Sequence, residues 1–333
     1  MHKWSTDQVD PKDRFDYWRE VRAKGLFGVT AELEREHRRD FFGEFTLRRF
    51  DNAGLVELRA SPYRVERSSA DIADAPGGSL CIYQQLGGGG WFGVNGSGDF
   101  TIQNGRFATS HSDLPYNTAP LAADGFHLRI LKIPARELPL GSGIGDLFPK
   151  PFAGNPSLTP LLESCFSDLA EAGDESDPAA TRPLVQALAQ LALIGRGVAK
   201  PASRAALAAI RVGQLSLARR LIARNLSFAG LSPPFVADLL GISLRHLHSL
   251  FEATGTSFSQ IVTAERMRQS RRLLTEAPER PVSQIAQACG YESLATFYRT
   301  FRAAHGMPPG DFRLRGEAGK RESRATILHL KAK

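Results

Sequence analysis

Between Phe41 and Pro134, apolar and polar positions alternate in short runs: "EFTLRRF", "GLVELRA", "YRVERSS", "SLCIYQQL", "GWFGV", "DFTIQN" and "FHLRILKIP". Gly, Pro, Asp and Asn bound these runs, and short runs with frequent turn signals predict strands of a sandwich or barrel. In "SLCIYQQL", Cys81, Tyr83 and Gln85 alternate with Leu80, Ile82, Gln84 and Leu86, the period of a strand with one apolar face. The "GGGG" at 87–90 reads as a hairpin tip, because glycine tolerates positive φ. It lacks the Lys and Ser/Thr of a phosphate-binding loop and precedes no helix.

From Pro156 the period lengthens. "SLTPLLESCFSDLAEAG" and "AATRPLVQALAQLALIGRG" predict two helices, parted by the acidic, proline-containing "GDESDP". Leu184, Leu188, Leu191 and Ile194 form a stripe at i, i+4, i+7 and i+10, an apolar seam along one helix. Such a seam is either core or a homodimer contact, since the pair stands between a β region and the linker "GRGVAKPASR" at 195–204. Residues 205–315 are helical in pattern, and a polar, basic tail follows from Gly316. The predicted divisions are 1–155, 156–204, 205–315 and 316–333.

Within the helical third the chain repeats itself. "GISLRHLHSLFEATG" begins at Gly241 and "GYESLATFYRTFRAAHG" at Gly290. Each has a glycine turn, a serine suited to cap a helix (Ser243, Ser293) and a closing glycine (Gly255, Gly306). Leu247 and Phe297 lie four residues after their serines, and Phe251 and Phe301 eight after. Short helices precede both: "SPPFVADLL", with Val236, Leu239 and Leu240 inward, and "PVSQIAQAC", with Val282, Ile285, Ala286 and Cys289 inward. In the first repeat Leu244 or Leu247, with Leu250 and Phe251, makes the buried stripe. That leaves Arg245, His246, His248, Ser249 and Glu252 outside. The second leaves Leu294, Ala295, Thr296, Tyr298, Arg299 and Arg302 outside. Helix, tight turn and a second helix with a polar face describe the helix-turn-helix, whose second helix enters the major groove of DNA.

Between the repeats, "SFSQIVTAERMRQSRRLLT" predicts one helix with Ile261, Ala264, Met267, Leu273 and Leu274 apolar. Nineteen residues span roughly 28 Å at the α-helical rise, against about 34 Å between successive major grooves on one face of DNA. The spacer's Arg266, Arg268, Arg271 and Arg272 suit either phosphates or a solvated face.

Charge strengthens this picture. Residues 1–200 carry 22 basic and 26 acidic side chains (net −4), and residues 201–333 carry 20 and 9 (net +11), which sum to the +7 of the whole chain. A basic third on a mildly acidic body fits contact with a polyanion. Cys81, Cys165 and Cys289 are too far apart in sequence for a metal-ligand or redox motif, and reduced thiols suit a cytoplasmic protein. No apolar run approaches the roughly 20 residues of a membrane span, and the N-terminal residues lack the apolar core of a signal peptide.

The segment from "LSPPFVADLL" through "GYESLATFYRTFRAAHGMPPGDFR" resembles the DNA-binding domain of AraC/XylS-type bacterial transcription regulators over about 90 residues. The resemblance rests on the Ile-Ala, Cys-Gly-Tyr, Ser, Phe, Arg, Phe, Gly, Pro order and the closing "GMPPGDFR". "YRVERSS", the glycine-rich hairpin and "GDFTIQNGRF" are similar, more loosely, to the family's cupin-like sensor domain. The implied fold is a two-domain α+β protein. A cupin-like β-barrel or jelly roll with a helical dimerisation element precedes an all-α domain, in which a linker helix joins two helix-turn-helix motifs. Base-reading roles fall by resemblance on Arg245, His248 and Ser249, and on Leu294, Ala295, Thr296 and Arg299, with Ser243, His246, Ser293, Tyr298 and Arg302 on the same helices. The implied partners are double-stranded promoter DNA, RNA polymerase, a small organic effector and a second copy of the chain, with no membrane.

A cupin-like barrel can also be an enzyme, and a metal-dependent one needs at least three convergent ligands. The β region offers His111 and His127 without an H-x-H pair or a patterned glutamate, and the chain has no G-x-S-x-G elbow. No catalytic residue, metal or cofactor is expected. A sensor instead needs an apolar cavity with few polar groups, for which Tyr83, Trp91, His111, Tyr116 and His127 are candidates, with Phe100 and Phe126. The reading is an effector-controlled activator; the alternatives are a repressor and a barrel enzyme with a helical accessory domain.

Overall fold

The computed structural model describes residues 2–94, 98–121, 123–138, 144–152, 156–173, 177–228 and 230–315. The expected basic tail at 316–333 and residues 174–176 of the acidic break at 173–178 lie outside the described residues. Two compact units divide the chain, Met1–Gly213 and Gln214–Lys333, and each is described by itself.

The first unit opens with β1 (His2–Ser5), α1 (Arg14–Trp18), a π-helical segment at Arg19–Phe27 and β2 (Thr30–Glu32). Strands β3 (Gly43–Phe50), β4 (Ala53–Ala60) and β5 (Arg64–Arg67) precede the short α2 (Ser69–Asp74). Then come β6 (Ser79–Gly87), β7 (Gly90–Val94), β8 (Gly98–Ile102), β9 (Phe107–His111), β10 (Tyr116–Pro120), β11 (Phe126–Pro134) and β12 (Lys150–Pro151). Helices α3 (Thr159–Glu171) and α4 (Pro178–Gly195) complete the unit, with the start of α5 (Arg204–Arg224).

All the strand pairings are antiparallel. One sheet has the order β1-β3-β4-β11-β6-β9-β12, the other β2-β5-β10-β7-β8. Alternation places Val56, Leu58, Cys81, Tyr83 and Ile130 of the first sheet in one core with Val65, Phe92, Ile102 and Tyr116 of the second. No ladder among the described residues joins the two sheets. Of the expected β-barrel or jelly roll, the two-sheet sandwich is what forms, and the sheets do not close into a barrel. Its filling is also not purely strand-derived: Phe15 and Trp18 of α1, together with Phe41 and Tyr63, belong to the same core. Residues arriving from outside the sheets do part of the filling that closure would otherwise require of strands.

The other face of the larger sheet carries the helix pair. Phe107 meets Phe166 of α3 at 5.4 Å, and Arg48 Nη1 donates to the Ala172 carbonyl at 2.9 Å. Arg196, just past α4, donates to the Thr109 carbonyl at 2.9 Å and to the Asp146 carbonyl at 2.7 Å. Leu188 and Leu191 are 0% exposed and Ile194 is buried, while Leu184 is half-buried. The seam is therefore core within one chain. Leu188 and Leu191 have no surface to offer a second copy, which corrects the dimer option for those two positions.

His111 is buried in β9 beside Leu80, and its Nδ1 accepts from the Asp113 backbone N–H at 3.2 Å. Burial pushes its pKa below the ordinary value, and Asp113 only partly opposes this. The folded state thus resists a proton that the unfolded chain accepts below about pH 6.5. Its contribution is intact above that pH and is lost as pH falls toward the folded value. The urea midpoint of the first unit is expected to drop more between pH 7.5 and 5.5 in the wild type than in His111→Gln; equal drops would refute the assignment.

Candidate nucleic-acid interface

The second unit contains the rest of α5 and α6 (Pro233–Leu240), α7 (Leu244–Glu252), α8 (Phe258–Glu276), α9 (Val282–Ala288) and α10 (Leu294–His305). Two small cores hold it together. Ala218, Ile222, Leu226, Val236, Ala237, Leu247, Phe251 and Ile261 form the first. Met267, Leu274, Ile285, Ala286, Cys289, Tyr291, Phe297 and Phe301 form the second. The long α8 supplies Ile261 to one and Met267 and Leu274 to the other, which makes it a shared beam.

Each half builds its presenting helix from local chemistry. Gly241 (φ +64°) ends α6, and Ser243 Oγ accepts the His246 backbone N–H at 3.1 Å to cap α7. Such caps contribute about 1 kcal/mol. Leu247, Leu250 and Phe251 turn inward, leaving Arg245, His248 and Ser249 exposed. In the second half Ser293 Oγ accepts the Thr296 N–H at 3.3 Å to cap α10. Phe297 and Phe301 are buried there, with Leu294, Ala295, Tyr298, Arg299 and Arg302 exposed and Thr296 half-buried. Arg245, Arg299 and Arg302 have no ion-pair partner among the described residues. Arg299 and Arg302 also line a shallow cleft of about 510 Å³ with Tyr298, Ala303 and Pro308.

Four expected positions behave differently. His246 is half-buried and its Nε2 lies 2.8 Å from Gln214 Oε1, so this ring is tied to α5. Leu239 and Leu244 point outward, leaving the inward stripe of α6 and α7 to Val236, Leu247, Leu250 and Phe251. Ala264 of α8 is exposed as well.

The arginines of α8 are largely committed within the unit. Arg266 Nη2 donates to the Leu226 carbonyl at 3.3 Å, and its guanidinium lies 5.2 Å from the Tyr291 ring centroid. Arg268 pairs with Glu265 and Arg272 with Glu276 at 3.8 Å, while Arg271 lies over the Phe312 ring. Gly290, at φ +77°, also abuts Leu226: a Cβ there would sit 1.9 Å from that carbonyl oxygen. The carbonyl of Leu226 in the first half is therefore the joint on which the second half rests. Sequence pattern did not single this joint out, because Leu226 reads as one more helix-end leucine.

A helix-turn-helix domain model matches residues 236–315, which takes in α7 through α10. Across 300 residues the chain is 27% identical to the transcriptional activator NphR of a Rhodococcus species, covering 86% of this chain and 85% of that one. The chain is thus similar over most of its length to a transcriptional activator, and its residues 236–315 match a helix-turn-helix domain. It is also 34% identical over 93 residues to the transcriptional activator RhrA of Rhizobium meliloti, 28% of this chain and 30% of the relative. The fold matches the crystal structure of the AraC-like transcriptional activator CuxR with a TM-score of 0.50 at 21% identity, covering 86% of this chain and all of the other. No helix among the described residues is long and apolar enough to cross a membrane.

The residues expected to line an effector pocket divide among three surfaces. Tyr83 and Tyr116 face the sandwich interior, where the Tyr83 hydroxyl lies 3.1 Å from Ser110 Oγ. Burial raises both phenol pKa values. Trp91 alternates with the core residue Phe92 and lies on the outer face of the smaller sheet. His111 and His127 point to the opposite side of the larger sheet from the interior, beside Leu80 and between core residues Phe126 and Leu128 respectively. The five do not form one pocket.

Proposed function

We propose that this chain is a cytoplasmic transcription activator that binds promoter DNA through α7 and α10, as a homodimer, under control of a small organic effector bound in the first unit. The observation that carries the DNA-reading part is the pair of capped helices, each with a buried apolar stripe and an outward face bearing unpaired arginine. Arg245, His248 and Ser249 read bases from α7. On α10, Leu294, Ala295 and Thr296 suit thymine methyls and Arg299 adds one cation, so the first helix discriminates more sharply and the second adds affinity and shape fit. Activation, with RNA polymerase as the partner, is supported by the designation of NphR and RhrA as activators. The effector acts by binding one conformation better than another and so shifting which promoter half-sites are occupied. The homodimer contact lies elsewhere than Leu188 and Leu191.

Selection of bound duplexes from a random pool at fixed salt, with and without candidate metabolites, tests the reading, and a reporter promoter decides between activation and repression. A failure to enrich any sequence would refute it. Arg245→Ala is expected to cost about 1–3 kcal/mol and relax preference at one base. Uniform weakening on all duplexes would make Arg245 a phosphate contact.

A further inference from the structure

The two presenting helices can be laid on each other from their capping serines. One place after Ser243 stands Leu244, and one place after Ser293 stands Leu294. Two places on, the pair is Arg245 and Ala295; five on, His248 and Tyr298; six on, Ser249 and Arg299. The residues four and eight on are buried in both, Leu247 with Phe251 and Phe297 with Phe301. Among the outward positions of the first two turns, only the first carries the same residue twice. Both copies are exposed, Leu244 at 41% and Leu294 at 44%.

A single exposed leucine is ordinary on a protein surface. The same leucine at the same place of two capped helices is not, because neither core uses it. Leu239 of α6 is exposed too, but the matching place before Gly290 holds the half-buried Ala288. The duplication therefore concerns the start of the presenting helix and not an apolar surface in general. The charge around it also points to a polyanion. Asp and Glu are favoured in the first turn of a helix, yet neither α7 nor α10 has an acidic residue there. Glu292 stands before the cap of α10, outside the helix. Arg245 follows Leu244 directly and is exposed, as are Arg299 and Arg302 along α10. An apolar tip on a basic face fits a polyanion that itself offers an apolar group. The major groove offers one, the C5-methyl of thymine, and the N-terminal residues of a recognition helix are those that reach base edges.

We infer that Leu244 and Leu294 each pack on the C5-methyl of a thymine, so that both half-sites contain one thymine read in the same way. This rests on the reading that α7 and α10 enter the major groove, and it adds Leu244 to the specificity-determining residues of α7. The shared leucine marks the same step in each half-site. The places two, five and six on, where the helices differ, then tell the half-sites apart.

The test takes the duplex selected from the random pool and replaces its thymines one at a time by deoxyuridine, which deletes the methyl and keeps the base pairing. Affinity of the full chain is measured at fixed salt. Burying one methyl corresponds to about a threefold to fivefold change in affinity, and one thymine in each half-site is expected to show a loss of that size. Leu244→Ala should make one of these two thymines indistinguishable from deoxyuridine and leave the other preference intact; Leu294→Ala should do the reverse. Leu244→Met keeps an apolar side chain of similar volume and should retain the preference. Leu244 is exposed and alanine is a good helix former, so the variants should fold as wild type does. A methyl-sensitive thymine missing from either half-site, preferences that survive both alanine variants, or equal weakening of thymine and deoxyuridine duplexes by Leu244→Ala would each overturn the assignment. Full duplex affinity with lost reporter activation in Leu244→Ala would make the leucine a protein contact and overturn it as well. A pool that enriches no sequence removes groove reading by these helices and the methyl contacts together. Strong enrichment without methyl sensitivity removes the methyl contacts alone.

Discussion

Phe297→Ala is expected to destabilise the second unit by about 3–5 kcal/mol, the range for emptying a buried phenylalanine site. Phe297 is 0% exposed and sits among Tyr291 at 5.3 Å, Phe301 at 5.7 Å and Tyr298 at 6.1 Å. Among the described residues its core has eight buried members, so few neighbours can collapse into the space. Small domains hold roughly 5–15 kcal/mol in total, and the loss should leave the second half partly unfolded at 37 °C. The distribution of tryptophan makes the measurement clean. Trp4, Trp18 and Trp91 all lie in the first unit, so indole fluorescence follows that unit while the far-ultraviolet helical signal carries both units. Urea unfolding of Phe297→Ala should move the helical transition to lower denaturant and leave the fluorescence transition in place. An unmoved helical transition would mean that Phe297 is not the keystone of its core.

Gly290→Ala should be the most damaging single-methyl change to DNA binding, and Gly241→Ala its control. Both glycines open a presenting-helix turn, and both have positive φ, +77° and +64°. An alanine in that region costs about 1–2 kcal/mol wherever it falls. At Gly241 nothing lies within 4 Å of the added Cβ, so the conformational cost is the whole effect. At Gly290 the methyl would lie 1.9 Å from the backbone oxygen of Leu226, and backbone cannot rotate aside as a side chain can. Relief requires the α9–α10 turn to lift off the first half, which also breaks the Arg266 contact to the same oxygen. Folded Gly290→Ala is expected to bind the selected duplex at least about tenfold more weakly, and folded Gly241→Ala within about threefold of wild type. Similar losses in both variants would show that the joint at Leu226 does not position α10.

The duplicated helix-turn-helix was legible because its signals are local: a capping serine, a turn glycine and inward residues four and eight positions on. α8 was legible for the same reason, as an uninterrupted amphipathic run. Features that depend on distant pairing were not. Whether the strands of the first unit close on themselves is decided by which edges meet, and no single strand encodes that. Leu188 and Leu191 looked equally suited to a core or a dimer, because an apolar stripe does not name what covers it. Trp91, His111 and His127 were grouped with Tyr83 and Tyr116 by residue type, and strand alternation then sent them to other faces.

The shared perch on Leu226 fixes more than local packing. Lengthening α8 by one residue would swing α10 by about 100° around the beam axis. Adding two whole turns would keep its heading but carry Gly290 and Arg266 out of step with the oxygen they both address. Promoters suited to a wider or differently phased pair of half-sites are thus out of reach by simple insertion, and a relative serving them must rebuild the seat together with the beam.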